Sequence, residues 1–98
     1  MTVRYSRRAL RQLDEIFAYV AVDDRRAAAS IVARIEALVH LIVRHPTIGR
    51  PTDLEGVRVF RAAPYPYLIF YRTDPTTGAV TILRVRHTSR AENWKEGH

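Results

Sequence analysis

The stretch that decides the fold is residues 28–46, which read AASIVARIEALVHLIVRHP. Its apolar residues recur at spacings of three, four, three and four, and they are Ala28, Ile31, Ile35, Leu38 and Ile42. That period matches the turn of an α-helix and predicts a helix with a single apolar stripe. The helix should end near His45, because Pro46 disfavours helical geometry at the residue before it and loop residues follow.

A second helix is predicted before this one. Ser6 is a residue type that caps helices by accepting a hydrogen bond from an early backbone amide. The apolar stripe that follows runs to about Val22 and consists of Leu10, Leu13, Ile16, Phe17 and Val20. Asp23 and Asp24 interrupt this pattern and can cap the next helix. Two helices joined by so short a connection must form an antiparallel hairpin.

The second half of the chain changes from helical to extended patterning. Its β-branched and aromatic runs cover residues 57–62, Tyr67–Thr73 and Val80–His87, and residues 74–78 form a turn before the last run. A further short strand is predicted at Val3–Tyr5. The fold class is therefore α+β, a helical hairpin packed on one face of a small antiparallel sheet, with the order β-α-α-β-β-β along the chain.

Length and composition indicate one small globular domain. The 98 residues leave room for one hydrophobic core, so a single domain over residues 1–98 is expected. The chain has no cysteine, which excludes disulfides and thiolate metal sites, and we expect no metal or cofactor. The N-terminus lacks the apolar run of a signal peptide, and no segment approaches the roughly 18 apolar residues of a membrane span. A cytoplasmic protein without membrane contact is expected.

Arginine dominates the charge of the chain. The net charge is +6, and of the sixteen basic residues all but Lys95 are arginine. Guanidinium groups pair bidentately with carboxylates and phosphates, so this bias indicates a contact surface, although a GC-rich coding sequence would produce it too. Residues 57–90 contain six arginines against one acid, Asp74, and these are Arg58, Arg61, Arg72, Arg84, Arg86 and Arg90.

A sheet covered by helices on one side leaves its other face to water or to a partner. Arg84 and Arg86 lie two residues apart and share one face of the last strand, whereas Leu83, Val85 and His87 should face the helices. A row of guanidinium groups suits the phosphates of nucleic acid or the carboxylates of an acidic peptide, and the sequence leaves both open. For residues 57–62 the inward set is either Val57, Val59 and Arg61 or Arg58, Phe60 and Ala62.

His87 is the histidine best placed for chemistry, because it ends the last strand beside Arg86. It could serve as a general acid, although a lone histidine at a strand end is more often structural or solvated. A catalytic site would also need a base, and Asp74 belongs to a turn. The tyrosines among these strands could stack on bases or simply pack in the sheet, and they are Tyr65, Tyr67 and Tyr71.

Several segments, taken in order, resemble the ParE/RelE superfamily of bacterial toxins. The matching segments are residues 9–20 in the first helix, 45–46 and 48–51 in the loop after the second, and 57–58, 67–72 and 82–87 in the strands. The resemblance implies a toxin neutralised by a cognate, ParD-like antitoxin in a hetero-oligomer. We expect an acidic or amphipathic segment of that antitoxin to cover an apolar groove on the hairpin, where alanines permit close approach, namely Ala27, Ala28, Ala29, Ala33 and Ala37.

The closing strand resembles that of ParE-like members, which end in a histidine followed three residues later by arginine, here His87 and Arg90. ParE-like members poison DNA gyrase. RelE-like members cleave messenger RNA on the ribosome, usually with a C-terminal tyrosine where this chain has Thr88. The resemblance therefore implies a gyrase inhibitor; a ribosome-dependent endoribonuclease and a non-toxic nucleic-acid-binding or assembly module are the alternatives. Contacts to target or antitoxin are expected at Arg58, Arg61, Arg72, Arg84, Arg86, His87 and Arg90.

Overall fold

The computed structural model of the protein describes residues 2–90. In chain order the elements are β1 (Val3–Tyr5), α1 (Arg7–Ala21), α2 (Arg25–Arg44), β2 (Arg50–Pro51), β3 (Val57–Arg61), β4 (Tyr67–Thr73) and β5 (Val80–His87), followed by a 3-10 turn at Thr88–Arg90. The sequence predicted each of the helices and strands except β2, which lies in a segment assigned to a loop. The predicted fold class is confirmed.

Both helices begin at their predicted caps. The Ser6 hydroxyl accepts a hydrogen bond from the Ala9 amide, and the Asp24 carboxylate accepts one from the Ala27 amide, each at 3.0 Å. A cap of this kind satisfies one of the amides that a helix start leaves without a partner. Neither helix in the described part of the chain is long and apolar enough to cross a membrane.

The sheet is mixed rather than wholly antiparallel, which corrects one detail of the prediction. Its order is β1-β5-β4-β3-β2, and β1 pairs with β5 in parallel. The direction follows from α1, which starts where the Ser6 amide donates to the Ile82 carbonyl and continues along β5, where the Gln12 side chain accepts from the Val85 amide. The helix α1 runs in the same direction as β5, and β1 leads directly into α1 at Ser6. Strand β1 is therefore parallel to β5.

The main core lies between the hairpin and the sheet. The predicted stripe of α2 is buried at all five positions. On α1, Leu13 is buried and Ile16 and Val20 pack against the core, but Leu10 is 50% exposed. The buried face of α1 is centred on Ala9 and Leu13. Leu10 follows Ala9 directly, so its side chain points about 100° around the helix from that face and towards solvent. The predicted stripe was therefore wrong at Leu10.

A bulge divides the side chains of β5. Arg84 lies opposite Phe70 and Ile82 lies opposite Tyr71, so Leu83 is an extra residue between two regular pairs. Such an insertion reverses the alternation of side chains beyond it. Val85 is buried in the main core, as predicted, but Leu83 packs on the far side of the sheet, so the expectation that it faces the helices was wrong.

The two possible orientations of β3 are now distinguished. Phe60 and Ala62 pack in the main core, whereas Val57 and Val59 pack on the far side of the sheet. Alternation then places Arg58 on the helix side and Arg61 on the open side.

Candidate interface on the open sheet face

The sheet face turned away from the helices is built from three cross-strand rows. Residues paired across neighbouring strands lie on the same face. In order along β4, the rows are Arg86, Leu68 and Arg61; then Arg84, Phe70, Val59 and Arg50; then Arg4, Thr81, Arg72 and Val57. An arginine stands at both ends of each of the first two rows, and the third row contains two further arginines.

An apolar cluster occupies the middle of this face. Val57 and Phe70 are 2% and 3% exposed, and half-buried side chains surround them. We call this cluster the apolar centre; it consists of Leu54, Val57, Val59, Leu68, Phe70 and Leu83. Its outer surface belongs to the half-buried members, which are aliphatic.

Six arginines surround the apolar centre, and we call them the arginine rim. They are Arg4, Arg50, Arg61, Arg72, Arg84 and Arg86. The last two are half-buried and the other four exposed. Burial, together with the charges of Arg8 and Arg86, lowers the pKa of Arg84. The Nε of Arg86 is buried and has no hydrogen-bond partner among residues 2–90.

All the charged side chains that the strands place on this face are arginines. None of the five strands within residues 2–90 contains an aspartate or glutamate. The nearest acids along the chain lie in the loops, at Asp53, Glu55 and Asp74. Two of these acids flank Leu54 of the apolar centre, but six arginines around an apolar middle still raise the local concentration of negatively charged partners.

Sequence reasoning found four of the rim arginines and missed two. Arg4 reaches this face because β1 pairs with the opposite end of the chain, and Arg50 reaches it through the two-residue strand β2. The alternation of apolar Val3 and Tyr5 with charged Arg4 was a usable sequence signal for the first, and the structure gives the matching pattern of half-buried, exposed and half-buried side chains. No local pattern marked the second.

Arg58 lies apart from the rim, on the helix side of β3. Its guanidinium donates to the carbonyl of Gly49 at 2.6 Å and to that of Thr47 at 3.4 Å. These bonds hold the loop that follows α2 against the sheet. The structure thus gives this candidate residue a local structural role. Arg90 lies in the 3-10 turn, and its side chain is outside the described part of the structure.

The Tyr71 hydroxyl fixes the same loop from the core. It accepts a hydrogen bond from the Gly49 amide at 2.9 Å and donates one to the Pro46 carbonyl at 2.6 Å. Burial raises the pKa of Tyr71 above its usual 10.0, although the Gly49 amide and the charge of Arg58 act in the opposite direction. The neutral phenol is therefore the form that the fold favours.

This pKa shift predicts a loss of stability at alkaline pH. A raised pKa in the folded state means that the contribution of Tyr71 is complete below about pH 10 and is lost as pH rises through the folded-state pKa. Above that pH, we expect the urea concentration at the midpoint of unfolding to decrease with rising pH in the wild-type protein. The decrease should be less steep in Tyr71→Phe. Burial also raises the pKa of Tyr5 and Tyr67, so the variant should retain part of the dependence. If the urea midpoints of the wild-type protein and Tyr71→Phe decreased equally steeply with pH, Tyr71 would not be the group responsible.

His87 lies on the helix side of β5, opposite Tyr67. The two rings meet edge to face with centroids 5.5 Å apart, and the Ser89 amide donates to Nδ1 at 3.1 Å. The side chain opens into a cleft of about 700 Å³ between α1 and the end of β5, whose wall also includes Glu15 and Arg86. No sequence pattern indicated that Glu15 would approach the end of β5.

The tyrosines are not placed to stack bases on the open face. Tyr67 and Tyr71 are buried and Tyr65 packs against the main core. Phe70, the aromatic residue of the apolar centre, is 3% exposed. Nucleic-acid binding through exposed aromatic platforms therefore has no support on this face.

A helical hairpin on one face of a five-stranded mixed sheet is the architecture of small toxins from bacterial toxin–antitoxin systems. The isolated E. coli RelE toxin shares this fold, with a TM-score of 0.66 and 14% identity over 98% of this chain and 93% of RelE. Sequence identifies the family more closely. The family model described as ParE toxin of type II toxin-antitoxin system, parDE, matches residues 3–92, and the chain belongs to this family.

Individual relatives agree with that assignment. Toxin ParE1 of Caulobacter vibrioides is 32% identical over 90 residues, covering 88% of each chain. The Sinorhizobium fredii protein Y4kP is 41% identical over 81 residues, covering 83% of this chain and 84% of its own. A structure of the chromosomal ParDE toxin–antitoxin system from P. aeruginosa matches with a TM-score of 0.75 and 27% identity, over 89% of this chain and 95% of that one.

Proposed function

We propose that this protein is the toxin partner of a cognate antitoxin and that it acts by binding DNA gyrase rather than by cleaving RNA. Membership of the ParE toxin family, over residues 3–92, is the observation that carries the proposal. The open sheet face supports it, because the arginine rim surrounds apolar side chains and the strands in the described part of the chain add no carboxylate base to the arginines. Such a face is equipped to bind a partner and not to transfer protons.

The helical hairpin supplies a separate surface for the antitoxin. Its exposed apolar side chains include Leu10 at 50%, Tyr19 at 81% and Val22 at 83%. Three of the five alanines named from the sequence are exposed on α2 with a spacing of four, and they are Ala29, Ala33 and Ala37. Small and apolar residues with helical spacing suit an incoming amphipathic helix. This proposal differs from the sequence prediction at Ala28, which is buried in the core.

Messenger RNA cleavage is the second candidate function, and the cleft beside His87 favours it. Glu15, Arg86 and His87 all line this cleft, although the pairing of Arg86 with Leu68 directs its side chain to the open face of the sheet. These are the group types needed for a base, an acid and charge stabilisation. Both Glu15 and His87 are exposed, so the site lacks the enclosure that strengthens such interactions.

The two functions can be separated in one experiment. Under the gyrase proposal, the purified chain inhibits supercoiling by gyrase, and His87→Ala and Glu15→Gln both retain growth arrest. Transcript ends mapped after induction should show no new cleavage sites. Co-expression of the cognate antitoxin should restore growth, which checks the proposed pairing. Cleavage at defined codon positions that disappears in either variant, with supercoiling unaffected, would replace the gyrase inhibitor by the ribonuclease.

A further inference from the structure

We propose that the apolar centre and the arginine rim bind an amphipathic α-helix with acidic flanks, supplied by the protein that this toxin inhibits. The inference rests on the proposed function in one respect, because it takes the target to be a protein. Beyond the proposed function, it names the surface of the toxin that binds the target and the chemical character of the target segment that is bound.

The width of the face fits a helix. Arg84 on β5 and Arg50 on β2 end the same row, three strand spacings apart, which is about 14 Å. Arg86 and Arg61 end the neighbouring row at two spacings, or about 10 Å. An α-helix with its side chains is about 10–12 Å across. A helix lying along β4 would therefore rest its apolar stripe on the centre and bring residues on both flanks to the rim.

The length of the face sets the size of the helical segment. The apolar centre extends from the row of Leu68 to the row in which Val57 pairs with Arg72, which is four residue steps along β4, or about 14 Å. At a rise of about 1.5 Å per residue, about nine residues of helix span this distance. Apolar residues spaced three and four apart along such a segment form the stripe, and glutamates or aspartates beside them form the flanks.

An added β-strand is a poorer fit, because the edge strands β1 and β2 are only three and two residues long and offer few backbone groups for pairing. Beyond β1, the edge of β5 is covered by α1, where the Ser6 hydroxyl donates to the Leu83 carbonyl at 2.8 Å and the Gln12 side chain accepts from the Val85 amide at 2.7 Å. At the other edge β2 pairs with β3, and the Thr52 amide donates to the Val57 carbonyl. A partner strand would therefore gain few backbone hydrogen bonds at an edge, and the open face is the larger surface for a partner.

Charge and surface chemistry favour protein over nucleic acid. The rim is cationic and the strands of the described chain carry no acid, so carboxylates and phosphates would both be attracted. The centre decides between them, since Val59, Leu68 and Leu83 present half-buried aliphatic groups. Leucine or valine side chains of a helix can cover these groups, whereas a sugar–phosphate backbone gains nothing from them.

Fluorescence anisotropy with a labelled synthetic peptide tests the proposal on the full chain. The probe is a helical peptide with a leucine stripe and glutamate flanks; its matched controls carry lysine in place of glutamate, or serine in place of leucine. The glutamate–leucine peptide should bind at least about tenfold more tightly than either control. Arg61→Glu and Arg72→Glu, both exposed, should each weaken binding about tenfold, whereas Arg25→Glu and Arg26→Glu at the start of α2 should not.

Each outcome decides between distinct conclusions. Equal binding of the lysine peptide, or equal losses in the rim and α2 variants, would overturn the proposed surface. Displacement of the peptide by a single-stranded DNA oligonucleotide of equal charge would assign the face to nucleic acid instead. If the peptide binds as expected but gyrase is not inhibited, the surface stands and gyrase is the wrong target. If gyrase is inhibited equally by wild type and Arg72→Glu, gyrase stands and the surface is wrong.

Discussion

Gly49→Ala is expected to lower the free energy of unfolding by about 3 kcal/mol, because the loop after α2 has no space for a side chain. A Cβ at Gly49 would lie 2.6 Å from the Tyr71 hydroxyl and 2.9 Å from the Val59 carbonyl. The carbonyl belongs to the sheet backbone and cannot turn aside. Moving the loop instead would break the Gly49–Tyr71 hydrogen bond and leave buried polar groups without partners.

Urea denaturation of three variants separates this steric effect from other effects of glycine. Gly56 has a φ of +78°, and a Cβ there would meet nothing within 4 Å, so Gly56→Ala should cost only about 1 kcal/mol of backbone strain. Combining Gly49→Ala with Tyr71→Phe removes the closest atom, so the double variant should lose less stability than the two single losses added together. Additive losses, or a Gly49→Ala loss no larger than that of Gly56→Ala, would show that the loop has room to adjust.

The helices could be predicted because their sequence signals are local. In α2 the five stripe residues are all buried, and the helical period of about 3.6 residues needs no tertiary information. Ser6 and Asp24 cap their helices through amides three residues ahead, which a sequence pattern can show. Leu10 was misplaced because α1 buries a narrow line of residues, and the width of that line depends on what packs against it.

The bulge in β5 could not be predicted, because alternation assumes an uninterrupted ladder. Residues Thr81 and Arg84 lie on the same face, three apart, and no residue between them signals the extra position. The hydrogen bonds of Ser6 to the carbonyls of Ile82 and Leu83 lie at this point, and they come from the other end of the chain. Only the packed fold brings these groups together.

The candidate interface was partly predictable for the same reasons. Arg84 and Arg86 lie on one face, as the two-residue spacing predicted, since both follow the bulge. The sequence left the orientation of Arg58 open, because both faces of β3 carry apolar residues and the choice depends on which set meets the helices. Arg4 and Arg50 join the rim through pairings with distant strands, so composition alone indicated a basic sheet without showing that the arginines surround an apolar centre.

Reversing the two adjacent rim charges, Arg84→Glu with Arg86→Glu, is expected to abolish growth arrest. Both arginines are half-buried beside the apolar centre, where an approaching partner would desolvate them further. Truncating or reversing a desolvated charge contact costs about 2–5 kcal/mol, so two such losses reduce target binding by several orders of magnitude. The measurement is plating efficiency after induction, together with the concentration of purified chain that halves supercoiling.

The matched control is Arg25→Glu with Arg26→Glu, which also lowers the net charge from +6 to +2. These residues are exposed at the start of α2, away from the sheet, so the control should keep growth arrest and lose at most a little association rate. Because Arg84 is half-buried, circular dichroism must show that the rim variant folds, and Arg72→Glu provides an exposed single change with the same expected direction. Equal loss of toxicity in both double variants would mean that overall charge and not the sheet face directs the toxin to its target, and full toxicity in both would exclude the sheet face as the contact. Loss of toxicity in the control variant alone would show that the target contacts the helical hairpin instead of the sheet face.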